Sequence, residues 1–244
     1  MSSTALAAAL ADIDTVFDGF ASPHETPCPQ CHAEEETAYL RTPGVPVPLD
    51  VVQYYLYEVP DHFDDHEAAM RRLLPPAARA LAEGTLGAVN HLGIGLARVD
   101  WRSWPAEQAA ALDAFLHAWW QEVLTTADPP YGVEDVFDTC VTIARTVAPF
   151  LDAWAPGPAG DAHLVYIADS WLYDLLGDRS PFTWWCGDGE EAGVAELRAW
   201  LSGPGAARLR ALGEHDLAIR CELLALPEEE RWAHPYWTGA SAGD

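Results

Sequence analysis

The chain has 244 residues, 13 basic against 38 acidic side chains and a formal net charge of −25, while half of it is hydrophobic and 11% is aromatic. So much apolar material excludes intrinsic disorder. The charge excludes generic binding to phosphate backbones or anionic lipid headgroups, because the 13 basic residues, all Arg, are scattered and form no basic run.

The absence of Lys and the abundance of Ala fit a high-GC coding sequence, and a salt-adapted organism is a second source of such acidity. Asp, Glu or Arg interrupts every apolar run before the roughly 20 residues that a bilayer crossing needs. The opening stretch MSSTALAAALADIDTVF lacks the basic region and unbroken apolar core of a secretory signal. With an odd number of cysteines, five, these features predict a cytoplasmic protein with reduced thiols.

Taken along the chain, helical spacing dominates. Leu6, Leu10, Ile13, Phe17 and Phe20 step by three or four residues and predict a first amphipathic helix ending near Gly19. A loop with Pro23, Pro27 and Pro29 follows, and Glu34, Glu35 and Glu36 mark the first turn of the next helix. Three prolines between Thr42 and Pro48 exclude regular structure there. Asp50 reads as the N-cap of a short helix bearing Val51, Tyr54, Tyr55 and Val59, stopped by Pro60. The longest stripe starts at Pro105 and carries Leu112, Phe115, Leu116, Trp119, Val123 and Leu124. Three more stripes run from Val133 to Ala144, from Leu164 to Leu175 and from Val194 to Leu201. Strand-like alternation is scarce and no repeat register is visible. The expected fold class is therefore all-α, an irregular multi-helix bundle or an array of antiparallel helical hairpins. One domain over residues 1–244 is expected, with an irregular Pro/Cys loop at 21–32 and a Pro-rich loop at 42–48.

Several segments together carry a family likeness. They are Phe17 and Phe20 ahead of Cys28-Pro29-Gln30-Cys31, Pro48-Leu49, Tyr54, Arg72-Leu73-Leu74-Pro75, Trp101-Arg102-Ser103-Trp104-Pro105, Phe115 to Trp120, and Pro149 to Trp154. In this order the chain resembles an uncharacterised family of helical cytoplasmic bacterial proteins, common in actinobacteria, with no assigned activity. The resemblance implies an all-helical fold and adds no chemistry. Between Tyr57 and Leu74 the chain departs from it, being rich in His and Asp and reading Leu74-Pro75-Pro76.

Two clusters carry candidate chemistry. In Cys28-Pro29-Gln30-Cys31-His32, two cysteines followed by His match the haem-attachment pattern, but that attachment follows export, and Met70 is the one methionine besides Met1. Zinc suits the pair better, since thiolates three apart can bind one tetrahedral ion, with His24 and His32 completing a local set of Cys28, Cys31, His24 and His32. Against that set, the adjacent Cys31 and His32 are awkward to aim at one ion, and structural sites usually draw their second pair from a distant segment. A redox pair and a merely structural loop remain open. In the second cluster, Asp61 to Glu67, a helix would put His62 and His66 on one face as shared metal ligands, with Asp65 or Glu58 adding a carboxylate. The plain alternative is a solvated acidic helix start after Pro60. Cys140 and Cys221 sit in apolar stripes as small hydrophobes. Most of the eleven tryptophans read as core, with Trp184 and Trp185 as a plug beneath a turn at Cys186 to Gly189.

Two functions follow, from different classes. The first is a non-enzymatic interaction protein, of adaptor or immunity and inhibitor type, whose acidic runs Glu34 to Glu36, Asp61 to Glu67 and Glu228 to Glu230 meet a basic protein partner. The second is a metal-dependent enzyme using Glu58, His62, Asp65 and His66. Neither involves nucleic acid or a membrane.

Overall fold

The computed structural model describes residues 3–238 apart from Pro29, Trp184 and Cys186. The expected plug of Trp184 against the Cys186 turn thus lies outside the described residues. The described residues are all-α, with no strand, and none of their helices is long and apolar enough to cross a membrane. They divide into two compact units, one within residues 3–145 and 184–187, the other within 146–183 and 188–238.

The first unit holds α1 (Thr4–Val16), α2 (Glu34–Arg41), α3 (Leu49–Tyr57), α4 (His66–Glu83), α5 (Asn90–Leu96), α6 (Ala106–Thr125) and α7 (Val133–Ala144). α4 is the hub, meeting α1, α2, α3 and α5. Its Ala69, Met70, Leu73, Leu74, Ala77 and Leu81 are all buried, and small Ala side chains let neighbouring helices come close. α1 packs on α6 and α6 on α7, around Leu6, Ile13, Leu112, Phe115, Trp119, Trp120 and Phe137. The second unit holds α8 (Ala148–Asp152), α9 (Pro158–Leu176), α10 (Glu190–Trp200), α11 (Ala206–Ala211), α12 (His215–Glu222) and α13 (Glu228–Ala233). A π-helical turn at Leu201–Gly205, containing Pro204, joins α10 to α11. Here α12 packs on α9 and α11, and α10 on α8.

Three local expectations need correction. Asp50 is not the N-cap of α3: Pro48 holds that position, and the Asp50 carboxylate accepts from the Val51 amide inside the first turn. Tyr54 and Val59 are exposed, and the buried face of α3 is Val51, Val52, Tyr55 and Leu56. Pro105 is an N-cap, one residue ahead of the first turn of α6. The acidic helix start expected after Pro60 comes only at His66, where α4 begins, and the run of α4 to Glu83 has no counterpart in the predicted elements, because Pro75 and Pro76 sit inside it where they withhold two amide donors. The Pro-rich stretch 42–48 is irregular as expected, and Arg72 of α4 secures it. Its guanidinium donates to the carbonyls of Tyr39 and Thr42, each at 3.1 Å, and to that of Val45. Buried tryptophans are Trp101, Trp104, Trp119, Trp120, Trp154 and Trp171, whereas Trp232 is exposed.

Candidate metal centre

Cys28 and Cys31 lie on one turn that precedes α2, in which the Cys31 and His32 amides both donate to the Cys28 carbonyl, at 3.1 and 3.0 Å. That turn points both thiols to one side. The third donor comes from elsewhere. After α3, Pro60–His62 forms a short 3₁₀ turn and Phe63 is extended, so the segment swings His62 toward the cysteines. Cys28 Sγ, Cys31 Sγ and a His62 ring nitrogen all lie within 4.8 Å of one another, the one such group of three among the described residues. Cys31 Sγ and His62 Nδ1 are 3.6 Å apart. Zinc–sulfur and zinc–nitrogen bonds of about 2.3 and about 2.0 Å at a tetrahedral angle would put the two donors about 3.5 Å apart. This edge therefore already has the length that one ion requires.

The two segments are held together by a reciprocal pair of carboxylates. Glu25, 2% exposed, accepts from the Asp64 amide at 3.0 Å, the Asp65 amide at 2.8 Å and the Ser22 hydroxyl at 2.9 Å. In return Asp64 accepts from the Thr26 amide and hydroxyl, both at 2.7 Å. These two bonds hold the Asp64 carboxyl below the usual carboxylate range. Between the segments lies a cavity of about 270 Å³, lined by Thr26, Pro27, Cys28, Asp61, His62, Phe63 and Asp64.

The thiols differ in acidity. The Gln30 amide and the Cys31 thiol donate toward Cys28 and lower its pKa, whereas Cys31, as the donor, is raised.

The remaining sequence-predicted residues fall in distinct places. His24 is exposed on the turn after Pro23 and does not join the group. His32 turns inward, stacked on Tyr55 with ring centroids 4.0 Å apart, its Nε2 buried without a hydrogen-bond partner. Tyr55 is itself fixed by Thr37, hydroxyl to hydroxyl at 2.7 Å. Glu58 lies between the two clusters: one oxygen contacts His62 Nδ1 and the other is 3.5 Å from His32 Nε2. The helix that would have aligned His62 with His66 is broken, because Phe63 is extended and α4 begins only at His66. Asp65 caps that helix, accepting from the Ala68 amide at 2.9 Å. His66 packs on the Phe63 ring, 4.8 Å between centroids. Burial and the Arg98 charge push it down to about 4. His62, Asp65 and His66 therefore do not converge. Cys140 and Cys221 are buried, and burial raises both thiols, Cys221 to about 12.

The role of His62 beside Cys28 and Cys31 was not assigned from sequence. The available signal is the rule that a structural site takes its further ligands from a distant segment, and the stretch after Pro60, with two His in five residues, is one such supply. No family model, curated protein or solved structure matches the chain.

Proposed function

We propose that this chain is a non-enzymatic acidic interaction protein whose first unit is clamped by one Zn²⁺ held by Cys28, Cys31 and His62. The observation that carries the metal part is the convergence of two thiols and an imidazole from segments 31 positions apart, at an edge length suited to a tetrahedral ion. An ion there would tie together two stretches that hold little regular structure of their own.

Charge supports the docking part. Glu34, Glu35 and Glu228 to Glu230 are exposed in the first turns of α2 and α13, and the whole chain carries −25, a field that speeds encounter with a basic partner. The enzyme alternative at Glu58, His62, Asp65 and His66 has less behind it. Asp65 is engaged as a helix cap and His66 is packed on Phe63, which leaves Glu58 and His62 of the four.

Metal analysis of the purified protein tests the first part. One equivalent of zinc is expected, lost in Cys28→Ser and His62→Ala and kept in His24→Ala and His66→Ala; wild-type protein without stoichiometric metal sinks the zinc reading. Affinity capture from a native lysate at low and moderate salt tests the second. Retention of a basic protein that weakens as salt rises is expected, and retention indifferent to ionic strength overturns electrostatic docking.

A further inference from the structure

We infer that Glu58 is the fourth ligand of this zinc site and that the buried His32 ring holds the Glu58 carboxylate in place, which makes the site closed and structural. The inference rests on the Cys28, Cys31 and His62 site proposed above.

Two thiolates and one imidazole leave one position of a tetrahedral ion unfilled, and structural and catalytic zinc differ in what fills it. Glu58 Oε2 touches His62 Nδ1, the same nitrogen that faces Cys31 Sγ at 3.6 Å. An ion bound at Nδ1 takes the place of the proton that this contact shares, and the carboxylate is then left directly beside the cation. Glu58 caps the C-terminus of α3, its amide donating to the Tyr55 carbonyl at 3.4 Å. The backbone is therefore anchored; Glu58 is not among the donors that lie within 4.8 Å of one another, so its side chain has to rotate to bring the oxygen from the nitrogen to the ion.

His32 supplies an independent observation. Its side chain is 3% exposed, its Nε2 has no hydrogen-bond partner, and its stack on Tyr55 fixes the ring plane. A buried imidazole nitrogen left unpaired is rare enough to need a reason. Glu58 Oε1 lies 3.5 Å away, slightly too far for a good bond. When Oε2 swings onto the ion, Oε1 can accept from His32 Nε2–H, and the orphaned nitrogen and the open coordination position are satisfied by the same movement. Metal-bound carboxylates are regularly held by such a second hydrogen bond. His32 is then a positioning residue, which accounts for an imidazole one residue from Cys31 that does not face the cluster. With four protein donors there is no position for a bound water, so the ion has no nucleophile to activate.

Cobalt-substituted full-length protein tests this, because Co²⁺ bands report coordination. The wild type should show four-coordinate bands that added imidazole does not change. Glu58→Ala should bind Co²⁺ at least about 10-fold more weakly, with bands that shift on adding imidazole. His32→Phe, which can keep the stack on Tyr55 but removes the donor, should weaken binding by about 10-fold without opening the site. Should Glu58→Ala lose helicity, Glu58→Gln carries the same comparison in a near-isosteric side chain. Wild-type bands that shift with imidazole, or a folded Glu58 variant that binds as tightly as wild type, overturn the inference and leave the three-residue zinc site standing. A wild type that takes up neither cobalt nor zinc fails earlier, at the site itself.

Discussion

The Glu25 carboxylate has no charged group in hydrogen-bond contact, yet the residue is almost fully buried, and two backbone amides and the Ser22 hydroxyl stabilise it. Both of its oxygens accept, one from the Asp64 amide and the other from the Asp65 amide and Ser22. Glutamine cannot reproduce this, because its NH₂ would face an N–H donor, so Glu25→Gln should cost about 2 kcal/mol in urea unfolding. It should also weaken zinc uptake, since the lost bonds are those that set the His62 segment against the Cys28 turn; unchanged stability and affinity would refute the staple. His66 yields a pH prediction at the same scale. Its pKa falls from an ordinary 6.5 to about 4 in the folded chain, so the folded state binds this proton less readily than the unfolded state. Its contribution is therefore fully present above about pH 6.5 and is lost as pH falls toward 4. Carboxyls held low, such as Asp64 and Glu222, have ordinary values of 3.8 and 4.5 and lose their contribution only on further acidification. In chelator-treated protein, His66→Phe should flatten the stability curve between about pH 6.5 and 4.5, and a curve that keeps its slope would assign the effect elsewhere.

For elements, the start of α4 decides between two roles for Asp65. As an N-cap it satisfies the Ala68 amide, so Asp65→Ala should cost about 1 kcal/mol while Asp65→Asn, an equally good cap, costs little. Zinc content should be the same in all three proteins; a loss in Asp65→Asn would mean that the carboxylate reaches the metal. α4 also shows where pattern stops being informative. Stripes such as Leu112, Phe115, Trp119 and Val123 announce α6 because a 3.6-residue period needs only local sequence, and the same holds for α1, α7, α9 and α10. Pro75 and Pro76 mask α4, since their cost is local while the burial of Met70, Leu73, Leu74 and Leu81 against four other helices is tertiary. The candidate metal centre divides in the same way. Cys28 and Cys31 are neighbours in one turn and legible as a pair, and the divergence of Cys31 from His32 follows from their adjacency. His62 enters only through the turn at Pro60–His62 and the Glu25 and Asp64 staple, contacts that span about forty positions and leave no period in the sequence.

On the scale of the whole molecule the balance is between long-range repulsion and short-range pairing. Arginines do find carboxylates: Arg208 meets Asp161 at 2.6 Å, Arg220 meets Asp216 at 2.9 Å, and Arg231 meets Asp178 at 2.8 Å with Arg198 on the same carboxylate. Yet the 38 acidic side chains exceed the 13 arginines by 25. Arg231 is buried, but exposed pairs such as Arg179 with Asp174 are worth about 0–1 kcal/mol each, and salt weakens them. The same salt relieves the repulsion among the surplus carboxylates, which lie spread over exposed helix starts such as Glu34, Glu35 and Glu228 to Glu230. Because the surplus outnumbers the pairs, relief dominates, and the Tm of the metal-free protein should rise as NaCl goes from about 20 to about 500 mM. A falling Tm would show that pairing controls stability. Docking onto a basic partner depends on the same field with the opposite sign, so affinity should decrease over the range in which Tm increases. That opposition separates a charge that recruits a partner from one that merely keeps the chain soluble: in the second case only the Tm moves.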